Sequence, residues 1–153
     1  MKVRDIMAQP VIVAREDASL EEIAKTMLDC GIGAMPVVNE KGELTGIITE
    51  SDFTAKNHGI PFSSFRAPQL LGHWLTNEGV ERIYEAAKRM TANEIMCREV
   101  LTVTEDESVE RLLGLMVNND LKRIPVVRDG VPVGIVARHD ILKMMLEQGV
   151  KTP

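Results

Sequence analysis

The sequence predicts a mixed α/β chain built from two copies of one β-α-β-β-α unit, and three observations predict it. The first is self-similarity, the signature of a duplicated structural unit. Shifted by 89 positions, Ile6-Met7 falls on Ile95-Met96, Glu16-Asp17 on Glu105-Asp106, Ser19 on Ser108, Met27 on Met116 and Pro36-Val37-Val38 on Pro125-Val126-Val127. After one deletion the shift is 88, and Gly42 meets Gly130, Gly46-Ile47 meets Gly134-Ile135 and Asp52 meets Asp140. The second is a change of hydrophobic period inside each copy, from a helical stripe to two strand-like runs. The third is the distribution of aromatic residues. Phe53, Phe62, Phe65, Trp74 and Tyr84 all fall between positions 53 and 84, so both copies must build their cores from aliphatic side chains.

Each element follows from local chemistry. A short strand is expected at Val11-Ile12-Val13 and again at Val100-Leu101-Thr102. Ser19 and Ser108 are helix N-caps, and Glu22 completes a capping box with Ser19. The first helix carries Leu20, Ile23, Ala24, Met27 and Leu28 on one face, and the second Val109, Leu112, Leu113, Met116 and Val117. Gly31 ends the first, and Asn118-Asn119-Asp120 the second. Hairpins are expected from Met35–Asn39 with Leu44–Thr49 and from Ile124–Arg128 with Val131–Ala137. Asp129-Gly130 is a two-residue hairpin turn, whereas Glu40-Lys41-Gly42 is one residue longer, which accounts for the deletion. A last helix starts near Ser51 or His139. One such unit of about 50 residues buries its faces poorly alone, so two related by a pseudo-two-fold, sheets packed face to face, are expected.

Composition excludes several functions. The net charge of −5, from 18 basic and 23 acidic residues, argues against nonspecific nucleic-acid binding, which needs a basic face. No apolar run approaches a membrane span. The N-terminal Met-Lys-Val-Arg-Asp lacks the apolar stretch of a signal peptide, so a cytoplasmic location is expected. Cys30 and Cys97 lack CxxC spacing; they leave one disulfide open and read better as two reduced thiols. His58, His73 and His139 have no metal-ligand spacing, so no metal is expected. Gly31-x-Gly33 is no dinucleotide loop, and no nucleophile elbow is present, so no catalytic residue is assigned.

Asp5-Ile6-Met7, Gly31 to Val38 and Gly46 to Phe53 together resemble a cystathionine-β-synthase (CBS) domain, as do Glu94-Ile95-Met96, Lys122 to Val127 and Gly134 to Asp140. The chain is similar to a tandem CBS pair, or Bateman module, over about 5–57 and 91–148. The division expected is repeat 1 at 1–57, a helical, aromatic-containing insert at 58–90, and repeat 2 at 91–153. The resemblance implies a regulatory, non-catalytic module that binds AMP, ADP, ATP or S-adenosylmethionine in clefts between the repeats, with no obligatory cofactor. A homodimer that acts on an unidentified regulated protein is expected.

The family's ribose-phosphate motif ends a strand in Gly-x-x-Thr/Ser-x-x-Asp at a helix start. A carboxylate can accept hydrogen bonds from both hydroxyls of a ribose diol, and a threonine hydroxyl adds a short-range partner. Repeat 1 has Thr49 and Asp52. Repeat 2 keeps Asp140 but has Ala137 in place of the hydroxyl residue. The resemblance places phosphate-binding cations just before the Pro-Val strand and just before the motif Asp. These are Lys122, Arg123 and His139 in repeat 2, but Gly33, Ala34 and Ser51 in repeat 1. The resemblance also points the phosphates of a nucleotide held by one repeat's Asp toward the other repeat, so the main site is expected to use Thr49 and Asp52 with Lys122, Arg123 and His139, its adenine lying on Ile47, Val100 and Leu101. A second, weaker site would use Asp140 with Ile135, Val11 and Ile12, and would be empty or suited to an uncharged adenosyl group. A bland reading stands beside this one: Asp52 and Asp140 as helix-start acids, Lys122 and Arg123 as a charged strand edge.

The segment 58–90 has no counterpart. Gly59-Ile60-Pro61 breaks a helix, Ala67–Leu75 and Glu78–Met90 read as helices, and Thr91 to Glu94 reads as a capping box. The segment is either a linker packed on the core or a surface for a partner, since aromatic side chains anchor interfaces. Arg66 would stand on the phosphate side if the loop caps a cleft. The alternative function is a ligand-free interaction and dimerisation module working through this insert.

Overall fold

The computed structural model describes residues 1–53, 85 and 87–148. It is a mixed α/β chain with two three-stranded sheets, ordered β1-β2-β3 and β4-β5-β6. The first repeat comprises β1 (Ala14–Arg15), α1 (Leu20–Cys30), β2 (Ala34–Val38) and β3 (Leu44–Thr49), followed by a 3-10 turn at Glu50–Phe53. A short helix α2 (Ala92–Ile95) leads into β4 (Val103–Thr104), α3 (Val109–Asn118), β5 (Arg123–Arg128), β6 (Val131–Ala137) and α4 (Arg138–Gln148). In the second sheet β4 runs parallel to β5 and β5 antiparallel to β6.

The expected hairpins are present within a residue of their bounds, but the first strand of each repeat lies further along. Residues 11–13 and 100–102 are irregular, and pairing falls instead on Ala14–Arg15 and Val103–Thr104. Burial explains the shift. Ala14 and Val103 are buried, whereas Ile12, Val13 and Leu101 stand well exposed, so these apolar triplets are not the core-facing part of the strand. The turn chemistry follows the sequence. Asp129 and Gly130 have φ of 52° and 79°, and Gly42 has φ of 80°, the left-handed values that two-residue and glycine-closed hairpin turns require.

The helix ends follow capping rules. Ser19 Oγ accepts from Glu22 N while Glu22 Oε2 accepts from Ser19 N, and Gly31 closes α1 in the left-handed region at φ 62°. Ser108 Oγ accepts from Arg111 N at 3.2 Å. Such a cap contributes about 1 kcal/mol. Thr91 sits at the N-cap of α2 but makes no side-chain cap hydrogen bond, so the expected capping box there is absent. Its backbone bridges to Ser19 instead. Of the two helices expected in the insert, Ala67–Leu75 lies outside the described residues, as do Gly59–Pro61, Phe62, Phe65, Arg66, Trp74 and Tyr84. Glu85 and Ala87–Arg89 are helical.

Contacts divide the chain into two units that cut across the repeats. One holds Ala14–Val37 and Thr45–Arg98; the other holds Met1–Val13, Val38–Leu44 and Glu99–Pro153. The first unit has a core of Leu20, Ile23, Met27, Val37 and Ile48, completed by Ala92, Ile95 and Met96 from the segment that opens repeat 2. The other unit has Val103, Leu112, Ile124, Val126 and Val136, completed by Val3 and Met7 from the chain start. The lead segments have thus exchanged partners. Ala8 bridges to Ile135 in one unit and Cys97 to Ile47 in the other. Among the described residues, Phe53 at the edge of the first core is the one aromatic side chain packed on either.

Candidate functional site

The motif residues follow directly from the end of each hairpin. In repeat 1, β3 ends at Thr49 and the chain turns at once, Glu50 N donating to Gly33 O at 3.0 Å. The turn brings Asp52 back beneath the strand end. Its Oδ2 accepts from Thr49 N at 2.7 Å and lies 3.4 Å from Thr49 Oγ1. Asp52 is the one charged side chain among the described residues that is buried. A buried carboxylate needs such donors, because an unpaired one would carry a large desolvation cost.

Repeat 2 builds the same turn with fewer parts. Arg138 N donates to Lys122 O at 3.1 Å, and Asp140 Oδ2 accepts from Ala137 N at 2.8 Å. Ala137 offers no hydroxyl, and Asp140 is only half-buried. The backbone half of the motif is therefore intact in both repeats, and the side-chain half is present only in repeat 1.

Charge separates the two turns as well. In the second unit Lys122 is exposed, Arg123 opens β5 directly opposite Ala137, and His139 is exposed in the first turn of α4. Arg138 joins them, a residue the sequence reading passed over. It lies between the motif's Ala137 and His139, and its guanidinium donates to Asp120 Oδ1 at 3.0 Å. The corresponding residues of repeat 1 are Gly33, Ala34, Glu50 and Ser51, so that turn carries no cation at those positions.

The expected adenine-facing residues divide between the units. Ile47 is half-buried in the first unit, where it exchanges backbone hydrogen bonds with Cys97 at 2.9 and 3.0 Å. Ile135, its counterpart, does the same with Ala8 at 2.9 and 3.2 Å. Val11, Ile12, Val100 and Leu101 belong to the same unit as Ile135, with Ile12 and Leu101 exposed. The first unit also has an apolar groove of about 490 Å³ lined by Ala24, Met27, Leu28, Ile32 and Phe53 with Glu50 at its edge. It includes neither Thr49 nor Asp52. Among the described residues no three His, Cys, Asp or Glu side chains converge as metal ligands, no helix is long and apolar enough to cross a membrane, and neither Cys30 nor Cys97 is in a disulfide.

The CBS domain model matches residues 3–58 and again 92–147. The chain belongs to the CBS domain family. Its two CBS domains form a tandem pair, and solved CBS pairs share the fold. The CBS domain of a CBS-domain-containing membrane protein from Sphaerobacter thermophilus is 43% identical, with a TM-score of 0.75, over 94% of this chain and 86% of that one. The CBS domain pair of protein MJ0100, solved with 5′-methylthioadenosine and S-adenosyl-L-methionine, is 30% identical with a TM-score of 0.71, over 97% and 98%. Protein MJ1426 of Methanocaldococcus jannaschii is 32% identical over 95% of this chain and 92% of its own. Other relatives are longer, the chain spanning 42% of one and 62% of another.

Proposed function

We propose that this CBS pair is a regulatory, non-catalytic sensor of an adenosine-containing small molecule, of the AMP, ADP or ATP class. The observation that carries this reading is the Thr49–Asp52 arrangement. A buried carboxylate, oriented by its own repeat's backbone, stands ready to accept hydrogen bonds from a ribose diol. The solved MJ0100 pair, with its two adenosyl ligands, supports an adenosine-containing ligand. Lys122, Arg123 and His139 are the cations assigned to a phosphate, and repeat 1 has none at the matching positions. By the family resemblance, the phosphate-bearing ligand is the one that uses Thr49 and Asp52. A second, at Asp140, is weaker and uncharged.

Regulation then works by population shift. A ligand that prefers one arrangement of the module biases it, and a second protein reads the change. We further propose that the working unit is a homodimer. Leu28 and Val117 stand at equivalent positions of the two repeats, 83% and 78% exposed, and Leu142, Met145 and Leu146 are exposed along α4. A second copy offers the same apolar faces, so burying them together is favourable.

Calorimetric titration with AMP, ADP, ATP, S-adenosylmethionine and 5′-methylthioadenosine tests the sensor reading. Saturation at 100 times the dissociation constant should add about 2.7 kcal/mol of stability. Failure of all five to bind at millimolar concentration would favour the rival reading, a ligand-free interaction module working through the 58–90 insert.

A further inference from the structure

We infer that Ser51 is a positioning residue for the ribose acceptor, acting through Thr49. The inference rests on the ribose reading above and names a part of the site that neither the Thr nor the Asp supplies. Ser51 Oγ lies 2.6 Å from Thr49 Oγ1, a normal hydroxyl–hydroxyl hydrogen bond. Thr49 Oγ1 in turn lies 3.4 Å from Asp52 Oδ2, the oxygen that already accepts from Thr49 N.

Each hydroxyl has one proton and two lone pairs. One of the two hydroxyls donates across the 2.6 Å contact, and the carboxylate decides which. A charged acceptor draws a proton more strongly than a neutral hydroxyl does. The favoured order is Ser51 to Thr49 to Asp52, a chain whose members strengthen one another. In that order Asp52 Oδ2 faces two donors of its own repeat, Thr49 N at 2.7 Å and, at the longer distance of 3.4 Å, Thr49 Oγ1. Asp52 Oδ1 takes no hydrogen bond from the described residues and is left for the ligand. Thr49 keeps one lone pair. The turn then presents two acceptors, Asp52 Oδ1 and Thr49 Oγ1, to the two hydroxyls of a ribose diol.

Repeat 2 lacks the whole chain. Its matching residues are Ala137 and His139, and among the described residues Asp140 Oδ2 receives only the Ala137 N–H. The position before the motif Asp thus does different work in the two repeats: it holds an imidazole in repeat 2, and in repeat 1 a hydroxyl that fixes the direction of its neighbour's proton. Without Ser51 the Thr49 hydroxyl is free to turn, and the second acceptor is no longer pre-set.

The test is a double-mutant cycle on Ser51 and Thr49 in an Asp140→Ala background, so that only the first repeat's acceptor is read. The probes are AMP, 2′-deoxy-AMP and 5′-methylthioadenosine, by calorimetry. Ser51→Ala should weaken AMP about five- to tenfold and narrow the ratio between AMP and 2′-deoxy-AMP, while Ser51→Thr restores both. In a Thr49→Val background Ser51→Ala should have no further effect. Additive losses, or an unchanged ribose-to-deoxyribose ratio in Ser51→Ala, would overturn the inference and leave the ribose reading standing. If the parent binds none of the probes, the ribose reading itself fails, and this inference with it.

Discussion

The sulfur of Met96 sits 2.5 Å from the point where a Cβ on Gly46 would stand, and the carbonyl oxygen of Cys97 is 2.9 Å from the same point. Met7 and Gly134 repeat the relationship, with the sulfur at 2.6 Å and the Ala8 carbonyl oxygen at 3.1 Å. A glycine in each hairpin lets the lead segment close down on it, and the Ile47–Cys97 and Ala8–Ile135 bridges hold it there. A methionine can turn aside, but a bridged carbonyl has little room. Gly46→Ala and Gly134→Ala should each lower stability by about 1–3 kcal/mol. The check is the midpoint of urea unfolding at constant slope. Unchanged midpoints would mean the lead segments are not closed on the hairpins.

The chain start is also held by charge. Lys2 and Arg4 pair with Asp106, and Arg128 forms a two-pronged pair with Glu105. The Arg128 hydrogen bond holds the Glu105 carboxyl below its ordinary value. The Lys2 hydrogen bond, with the Arg4 charge, does the same for Asp106. A group with a lowered folded pKa stabilises the fold above its unfolded value, and that stability is lost as pH falls through the folded one. The thermal midpoint should therefore drop as pH goes below the ordinary values of 4.5 and 3.8. The effect should be small, because Asp106 and the basic partners are exposed and screened by salt, although the Glu105 side chain is only 17% exposed. Asp106→Asn should flatten part of the acid limb, and an identical pH profile for parent and variant would argue against the clasp.

Lys122→Gln with Arg123→Gln separates the phosphate from the adenosyl part of the ligand. The pair of changes should weaken AMP about tenfold or more and reduce the salt dependence of its binding. The affinity for 5′-methylthioadenosine should change less than twofold. Equal losses for both ligands would mean these residues support the fold and not the phosphate.

The exposed apolar side chains of α4 give the homodimer a direct check. Met145→Glu with Leu146→Glu should halve the mass seen in sedimentation, since both side chains are more than 60% exposed and burying charge at such a face is unfavourable. A monomeric parent would refute the homodimer, and a variant dimer of unchanged strength would move the interface elsewhere.

Much of the fold could be read from local chemistry. Ser19 with Glu22, Gly31, Gly42 and Asp129-Gly130 each demand one backbone geometry, and each has it. Residues 11–13 were misleading because apolar content and strand pairing parted company there: the paired residues are the buried Ala14 and Val103 with their neighbours. The exchange of lead segments was not legible, because packing partners across a duplicated sequence are equivalent by pattern and only contacts distinguish them. Thr49, Asp52 and Asp140 were legible as a motif. The hydroxyl contact from Ser51 and the Asp120–Arg138 pair were not, since each depends on how the turn folds back and not on spacing.

The two repeats are unequal: Asp52 faces both the backbone N–H and the hydroxyl of Thr49, whereas Asp140 has the Ala137 N–H without a hydroxyl beside it. Calorimetric titration of AMP into Asp52→Ala and, separately, Asp140→Ala tests it most directly. Asp52→Ala should remove most of the binding heat, and Asp140→Ala should leave the affinity within about twofold of the parent, because a charge-assisted hydrogen bond is worth about 1.5–3 kcal/mol only where it is made. Equal losses in the two variants, or a loss confined to Asp140→Ala, would contradict the account.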